Sequence, residues 1–263
     1  MDLIGKSYID YLIESNKLDG SSHQLNEFTI GGVLNLLKDK QIKKIIEDNS
    51  IFNTILICNK KISQQLKENK NDLNINFYIT NYDLPTAFIV EKNGSRSSFV
   101  INDKIIEVNN FIKKSSSACV FYADKIKSSI FKNYEKLYLD TAGNSLEDLY
   151  ELAKNQQFPS ETILSISSEF LKKDLLEMFL KNGFTIISHS PVLTKIHKKD
   201  SILEIHNDFY IDPMNMNKDN WVTGLGDKYL FFIALSNFYE KLTLEQSIRK
   251  SQEIISLRLR SMF

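Results

Sequence analysis

Thr223-Gly224-Leu225-Gly226-Asp227 stands directly before the apolar run Tyr229–Leu235. Two glycines let the backbone turn without Cβ clashes, and the apolar run predicts that a helix opens at the acid. Unpaired N–H groups and the positive end of the helix dipole then face the place where Asp227 presents its carboxylate. That pairing suits an anion held beside a base. Phosphoryl transfer to a hydroxyl asks for both: donors for charge growing on the phosphoryl oxygens, and an acceptor for the alcohol proton. Taken alone, the pentapeptide is equally a capped helix start with Asp in its first turn. Lys228, the next residue, either adds charge near a phosphate or is a solvated first-turn lysine.

Other segments carry groups that could face a ligand. Gly5–Asp10 reads as a strand ending in an acid, and Asp10 could accept hydrogen bonds from a polyol or be a solvated strand-end carboxylate. Gly31-Gly32 lets backbone approach a ligand, and Asn35 offers a donor and acceptors; the plain alternative is a loop-to-helix turn. Pro85-Thr86 through Asn93-Gly94-Ser95-Arg96 reads as a hairpin carrying one arginine. His23, His189, His197 and His206 are scattered, without the spacing of a zinc site. His189, at an expected strand end, reads as a surface or hydrogen-bonded loop residue before a catalytic one. No phosphate-binding P-loop, dinucleotide glycine turn or nucleophile elbow occurs.

The elements that must position these groups follow from hydrophobic period. Residues 2–13 read as a first strand running into a second. Phe52–Cys58 has a buried-strand pattern, Ile62–Asn69 reads as a short helix, and a β-rich block covers Asn76–Thr80, Thr86–Glu91, Ser97–Ile101 and Ile105–Asn109. From Ala118 onward, strand-like runs (Ala118–Tyr122, Lys136–Asp140, Thr162–Ile166, Phe184–Ser188) alternate with helical ones (Ser145–Asn155, Glu169–Asn182). That alternation predicts a parallel sheet covered by helices. Ser201–Ile211 reads as another hairpin. Two helices, about 226–240 and 244–261, close the chain, the last presenting Leu244, Ile248, Ile254 and Leu257 to a core. No linker or repeat divides residues 1–263, so they read as one α/β domain with a small β insertion.

Composition narrows the function classes. Lys plus Arg and Asp plus Glu are both 33, so the formal charge is zero, and the chain carries no electrostatic footprint for nucleic acid or an anionic membrane. No apolar run is long enough to span a bilayer and the start is not a signal peptide, so a cytoplasmic protein is expected. Cys58 and Cys119 lie in apolar strand contexts and read as buried thiols in a reducing compartment.

In this order and at these spacings the segments resemble the ribokinase-like (PfkB) carbohydrate kinase family. The resemblance implies a three-layer α/β/α sandwich with a mostly parallel central sheet and a small β-sheet lid, formed by about 10–20 and 75–110. It implies an ATP-dependent kinase acting on a hydroxyl of a sugar or sugar-like molecule, with Mg²⁺. Asp227 would be the base and Thr223, Gly224, Leu225 and Gly226 the anion hole. Asp10, Gly31, Gly32 and Asn35 would bind the acceptor. Glu169, after Ser167-Ser168, is the nearest counterpart of the acid that organises magnesium. A homodimer through the lid is compatible with this scheme.

The chain also departs from the family pattern. Asn35 follows the glycines one position early. Asn59-Lys60-Lys61 replaces a glycine-bearing substrate loop. Ser188-His189-Ser190 replaces Thr-x-Gly, Trp221 replaces an acid, and Lys228 stands where a small residue is usual. Ending at Phe263, the chain should have a shortened adenine side. A donor other than ATP, such as ADP, and a ribokinase-fold binding or interaction protein without kinase activity are the alternatives these departures raise.

Overall fold

The computed structural model describes residues 1–14, 29–37, 39–49, 52–68, 75–81, 85–92, 95–101, 106–107, 117–122, 126–127, 129–140, 149–151, 154, 158–209 and 225–261. Its first strand, β1 (Asp2–Glu14), is one continuous strand of 13 residues, not a strand running into a second. Its opening half lies in the central sheet, where Asp2–Lys6 pairs in parallel with Asn53–Ile57 of β3 (Asn53–Asn59). Its closing half leaves that sheet. Ser7–Asp10 pairs antiparallel with β2 (Thr29–Gly32), and Ile9–Glu14 pairs in parallel with β5 (Thr86–Lys92). β6 (Ser95–Ile101) completes this side sheet as the hairpin partner of β5; the Asn93-Gly94 turn between them lies outside the described residues.

The remaining strands are β4 (Ile75–Thr80), β7 (Ile106–Glu107), β8 (Ala118–Tyr122), β9 (Ile126–Lys127), β10 (Lys136–Asp140), β11 (Glu161–Ser167), β12 (Thr185–His189), β13 (Leu193–Lys198) and β14 (Ser201–His206). The central sheet runs β14-β13-β12-β11-β10-β8-β1-β3-β4. From β12 to β4 every pairing is parallel, and only β13 and β14 are antiparallel. Near-continuous apolar strands such as Ala-Cys-Val-Phe-Tyr (β8) make this arrangement, because both faces must be covered. β4, read from sequence with the β-rich block, is instead the edge of the central sheet, and β7 pairs β9 apart from it. The last hairpin joins β13 to β14; the sequence reading placed it at Ser201–Ile211.

Helices cover the two faces. On one lie α1 (Leu34–Leu37), α2 (Lys40–Asn49), α3 (Lys60–Glu68), α5 (Leu225–Phe238) and α6 (Leu244–Ser261). Their Ile42, Ile46, Ile62, Phe231 and Ile248 pack with Leu3, Leu56, Val120 and Tyr138 of the sheet. On the other lies α4 (Lys173–Lys181) with a 3₁₀ turn at Ser129–Asn133, bringing Leu175, Phe179 and Phe131 against Ile4, Ile57, Phe121 and Leu164. Residues 149–151 and 154 are helical as expected. The result is a three-layer α/β/α sandwich. Among the described residues, no helix is long and apolar enough to cross a membrane. Cys58 and Cys119 are both buried and free.

Two local devices orient the helices that matter most. α6 begins at a reciprocal cap, in which Gln246 N donates to Thr243 Oγ1 (3.2 Å) and Thr243 N donates to Gln246 Oε1 (2.9 Å). Its buried stripe consists of Ser247, Ile248, Ser251, Gln252 and Ser256, whereas Leu257, expected in the core, is exposed. Ser247 and Ser251 satisfy their hydroxyls on the carbonyls of Thr243 and Ser247, so small polar residues line the seam with α5 at no hydrogen-bond loss.

The second device is Gly5. A Cβ there would stand 2.5 Å from the Cβ of Val33, the residue that turns β2 into α1 and donates its N–H to Lys6 O (3.3 Å). Only glycine lets the two backbones approach this closely. Gly5→Ala should therefore lower stability by about 1–3 kcal/mol through forced displacement of β2–α1. Urea denaturation measures this, and an unchanged midpoint would contradict the close approach.

Candidate functional site

Loops and helix starts of an open parallel sheet converge at the carboxyl ends of its strands. Here those ends carry Asn59 (β3), Tyr122 (β8), Asp140 (β10), Ser167 (β11) and His189 (β12). Into the same edge comes the first turn of α5, holding Leu225, Gly226 and Asp227. Thr223 and Gly224 lie outside the described residues, as does the side chain of Leu225.

The helix start is fastened to the sheet. Tyr122 Oη donates to the backbone carbonyl of Asp227 at 2.8 Å, joining residues 105 apart in sequence. Asp140 stands beside Tyr122 on the neighbouring strand, paired with it in register, and both are buried. Burial, then the charges of Asp227 and Asp140, push the Tyr122 phenol well above its ordinary range. Tyr122 is therefore a permanent neutral donor between two acids. Neither Tyr122 nor Asp140 was singled out from sequence. The available signal was a polar residue closing each of two apolar strand runs, Ala118–Tyr122 and Lys136–Asp140.

Gly226 sits in this turn without a packing reason. A Cβ on it would meet no described atom within 4 Å, and its φ is not positive. Among the described residues, neither crowding nor a positive φ requires glycine there.

Lys228 is neither solvated nor free near an anion. Its Nζ pairs with Asp39 Oδ2 at 3.1 Å. Asp39 also caps α2, its Oδ1 accepting from the amides of Gln41 (3.1 Å) and Ile42 (3.2 Å).

The upstream candidates fall on elements that lead toward this edge. Asp10 pairs by backbone with Thr29 of β2 and Ala87 of β5, so it belongs to the side sheet. Four residues past Lys6, it lies about 13 Å beyond the central part of β1 at the usual strand rise. Gly31 and Gly32 pair with Tyr8 and Ser7, and Asn35 is the second residue of α1. The side chains of Asp10 and Asn35 lie outside the described residues. Glu169 is exposed in a 3₁₀ turn just past β11, where it accepts from Ser167 Oγ at 3.3 Å. At the end of β3, Asn59 Oδ1 accepts from Ile62 N at 3.0 Å, so a capped helix begins where a glycine loop could otherwise stand. Among the described residues no group of three or more His, Cys, Asp and Glu could hold a metal ion.

His189 turns inward. Its ring packs edge-on against Tyr229 of α5, with centroids 5.4 Å apart, and the Tyr229 hydroxyl shares a 2.9 Å hydrogen bond with Thr194. Next to it, Ser188 Oγ and His197 Nε2 are 2.8 Å apart on the opposite face. The altered Ser188-His189-Ser190 segment is thus a packing element of β12, β13 and α5.

No protein-family model matches the chain, and no curated protein matches it. Solved structures do. A pyrophosphate-dependent kinase in the ribokinase family, in a sulfate complex, is similar at TM-score 0.64 and 13% identity, with 98% of this chain and 95% of that one covered. The chain has the ribokinase-like fold. Adenosine kinase from Schistosoma mansoni in complex with 2-fluoroadenosine is similar at TM-score 0.68 and 9% identity, with 98% and 94% covered. For the Methanocaldococcus jannaschii nucleoside kinase the values are 0.58 and 16%, with 98% and 91% covered. A ribokinase-like fold kept at such low identity is a likeness of architecture. The carboxyl-edge residues above belong to this chain's own geometry.

Burial lowers the His189 pKa from the usual 6.5 to about 4. Between those values the unfolded chain takes up a proton that the folded one refuses. The stability it contributes is therefore present above pH 6.5 and lost as pH falls toward 4. His189→Leu should flatten the decline of Tm across that window. A decline of the same slope in the variant would place the proton uptake elsewhere.

Proposed function

We propose that the protein is a kinase, transferring the terminal phosphoryl group of ATP to a hydroxyl of a sugar or sugar-like small molecule. The observation that carries this reading is Gly226, a glycine that no described neighbour and no positive φ requires, in the first turn of a helix and followed by Asp227 held at its carbonyl by Tyr122. A turn of this kind presents amides and a dipole to phosphate oxygens and a carboxylate to an approaching hydroxyl.

In this reading Asp227 takes the proton of the acceptor hydroxyl as its oxygen attacks the phosphorus. The backbone of Thr223, Gly224, Leu225 and Gly226 holds the charge on the transferring group. Asp10, Gly31, Gly32 and Asn35 hold the acceptor, where β1 passes into the side sheet. That sheet acts as a lid on a single domain spanning the chain, and its closure keeps water from competing as acceptor. Tyr122 fixes the Cα of the base through its hydrogen bond.

Mg²⁺ bound with the donor phosphates would take oxygen ligands and retained waters, and among the described residues no group of three or more His, Cys, Asp and Glu forms a cage for it. Glu169, exposed past β11, would be the protein carboxylate that helps hold it. When bound, the ion supplies neutralisation of phosphate charge.

A second reading has its own support. Asn59 closes the end of β3 with a helix cap, and Ser190 N and Oγ both donate to Leu193 O, so two edge loops spend their polar groups internally. A ribokinase-fold binding protein without turnover would tolerate both. An ATP-consumption screen over sugars and nucleosides, comparing the parent with Asp227→Asn, separates the readings. The kinase reading expects turnover on at least one acceptor and a loss of about 10²–10⁴-fold in the variant. Equal turnover in both proteins removes Asp227 as the base. No turnover, together with no rise in Tm on adding Mg²⁺ and ATP, favours the binding protein.

A further inference from the structure

A lysine directly after the proposed base is at odds with its surroundings. The first turn of a helix disfavours positive charge, because the dipole presents its own positive end there. Lys228 is nonetheless kept in place, at 20% side-chain exposure, by Asp39 at 13%. Helix stability alone would be better served by a small or acidic residue, so the pair answers another need.

Asp39 shows what that need is. Its Oδ1 caps α2, while its Oδ2 takes Lys228. Its N–H donates to Leu36 O (3.1 Å), Leu36 N donates to Val33 O (3.1 Å), and Val33 N donates to Lys6 O. The backbone from the end of β2 through α1 to Asp39 is therefore one hydrogen-bonded unit, seated against Gly5. That unit carries Gly31, Gly32 and Asn35. We infer that the Lys228–Asp39 ion pair is a strut that sets the position of the Asp227 turn relative to the Gly31–Asn35 acceptor segment, with Lys228 and Asp39 as positioning residues. The inference rests on the kinase reading for its purpose. Its geometry does not.

Tyr122 and Lys228 divide the work. The tyrosine ties the turn to the sheet through the Asp227 carbonyl, and the lysine ties it sideways to the acceptor segment. A turn held at one point can rock about it, whereas one held at two cannot.

Three variants test the strut. Asp39→Asn keeps a side-chain oxygen for the α2 cap while removing the charge, Lys228→Met keeps the stem, and Lys228→Arg keeps the cation. Hydrogen exchange read by mass spectrometry on peptides covering 225–232 should be about fivefold faster in Asp39→Asn and Lys228→Met than in the parent. Lys228→Arg should stay near the parent. Equal exchange in all four proteins overturns the strut. On an acceptor found by the ATP-consumption screen, kcat should fall about tenfold in the two charge-removing variants, with the KM for ATP within twofold and recovery in Lys228→Arg. A change confined to Tm would make the pair merely structural. A parent without turnover defeats the kinase reading and leaves exchange to decide the strut alone.

Discussion

α5 is a helix without a polar face. Tyr229, Leu230, Phe231, Phe232, Ile233 and Ala234 are consecutive and all buried, so the helix must be covered on every side. A large apolar side chain of this kind stabilises by about 1.5–3 kcal/mol when removed from water, and no rotation of α5 keeps these buried while exposing others. The sheet covers it on one side, with Tyr138 fastened through its hydroxyl to Asn237 Oδ1 at 2.6 Å. α6 covers another, with Ser247, Ile248, Ser251 and Ser256 buried. Phe52 stacks on Phe231 from the start of β3. With position and axis so constrained, the place where α5 begins is decided by packing far from that beginning. The Gly226-Asp227 turn comes out at the carboxyl edge because the rest of the helix has nowhere else to go.

Core packing fixes an axis more firmly than it fixes the first turn, whose amides have no partners within the helix. The polar contacts there meet that need. Tyr122 and Lys228 each supply one strong interaction there, the first to the Asp227 backbone carbonyl and the second to Asp39. A contrasting arrangement appears at the amino edge of the same sheet. There Asp2 is buried with Tyr134 Oη donating to its Oδ2 (2.6 Å) and Asn53 Nδ2 to its Oδ1 (3.3 Å). Burial, then the Cys119 thiol and the Asp2 carboxylate, push the Tyr134 phenol up. That acid spends both oxygens on holding β1, β3 and the β8–β10 connection together. At the amino edge the carboxylate ties strands together, whereas at the carboxyl edge a tyrosine hydroxyl ties a helix start to the sheet.

How much of this could be read from residues alone depends on how far each signal reaches. Strand runs such as Lys136–Asp140 and helices such as 244–261 were legible because their patterns are local. The glycine-acid turn was legible because an apolar run marks the helix that follows it. β1 was misdivided because one strand serves two sheets, and its period cannot show a change of partner at Ser7. Leu257 was assigned to the core by helical spacing, yet it is exposed while Ser247, Ser251 and Ser256 are buried, the first two returning their hydroxyls to their own helix backbone. Tyr122 and Asp140 were passed over because their meaning is pairwise. Each is an ordinary strand end until the register sets them side by side under the turn. Asp39 and Lys228 lie 189 positions apart, and no spacing rule connects them.

The departures from the family pattern acquire physical meaning in the same way. A small residue after Asp227 would leave the first turn without the Lys228–Asp39 contact. In this chain a helix capped by Asn59 follows β3, and the Ser190–Leu193 turn closes on itself. Lys228 with Asp39 restrains the first turn from another direction, through α1 and α2. His189 likewise fills the space under Tyr229 with a ring whose burial holds it neutral, adding packing where a smaller residue would leave a gap. The turn is thus bordered by contacts from three directions: Tyr122 on its carbonyl, Asp39 on Lys228, and the His189 ring against Tyr229.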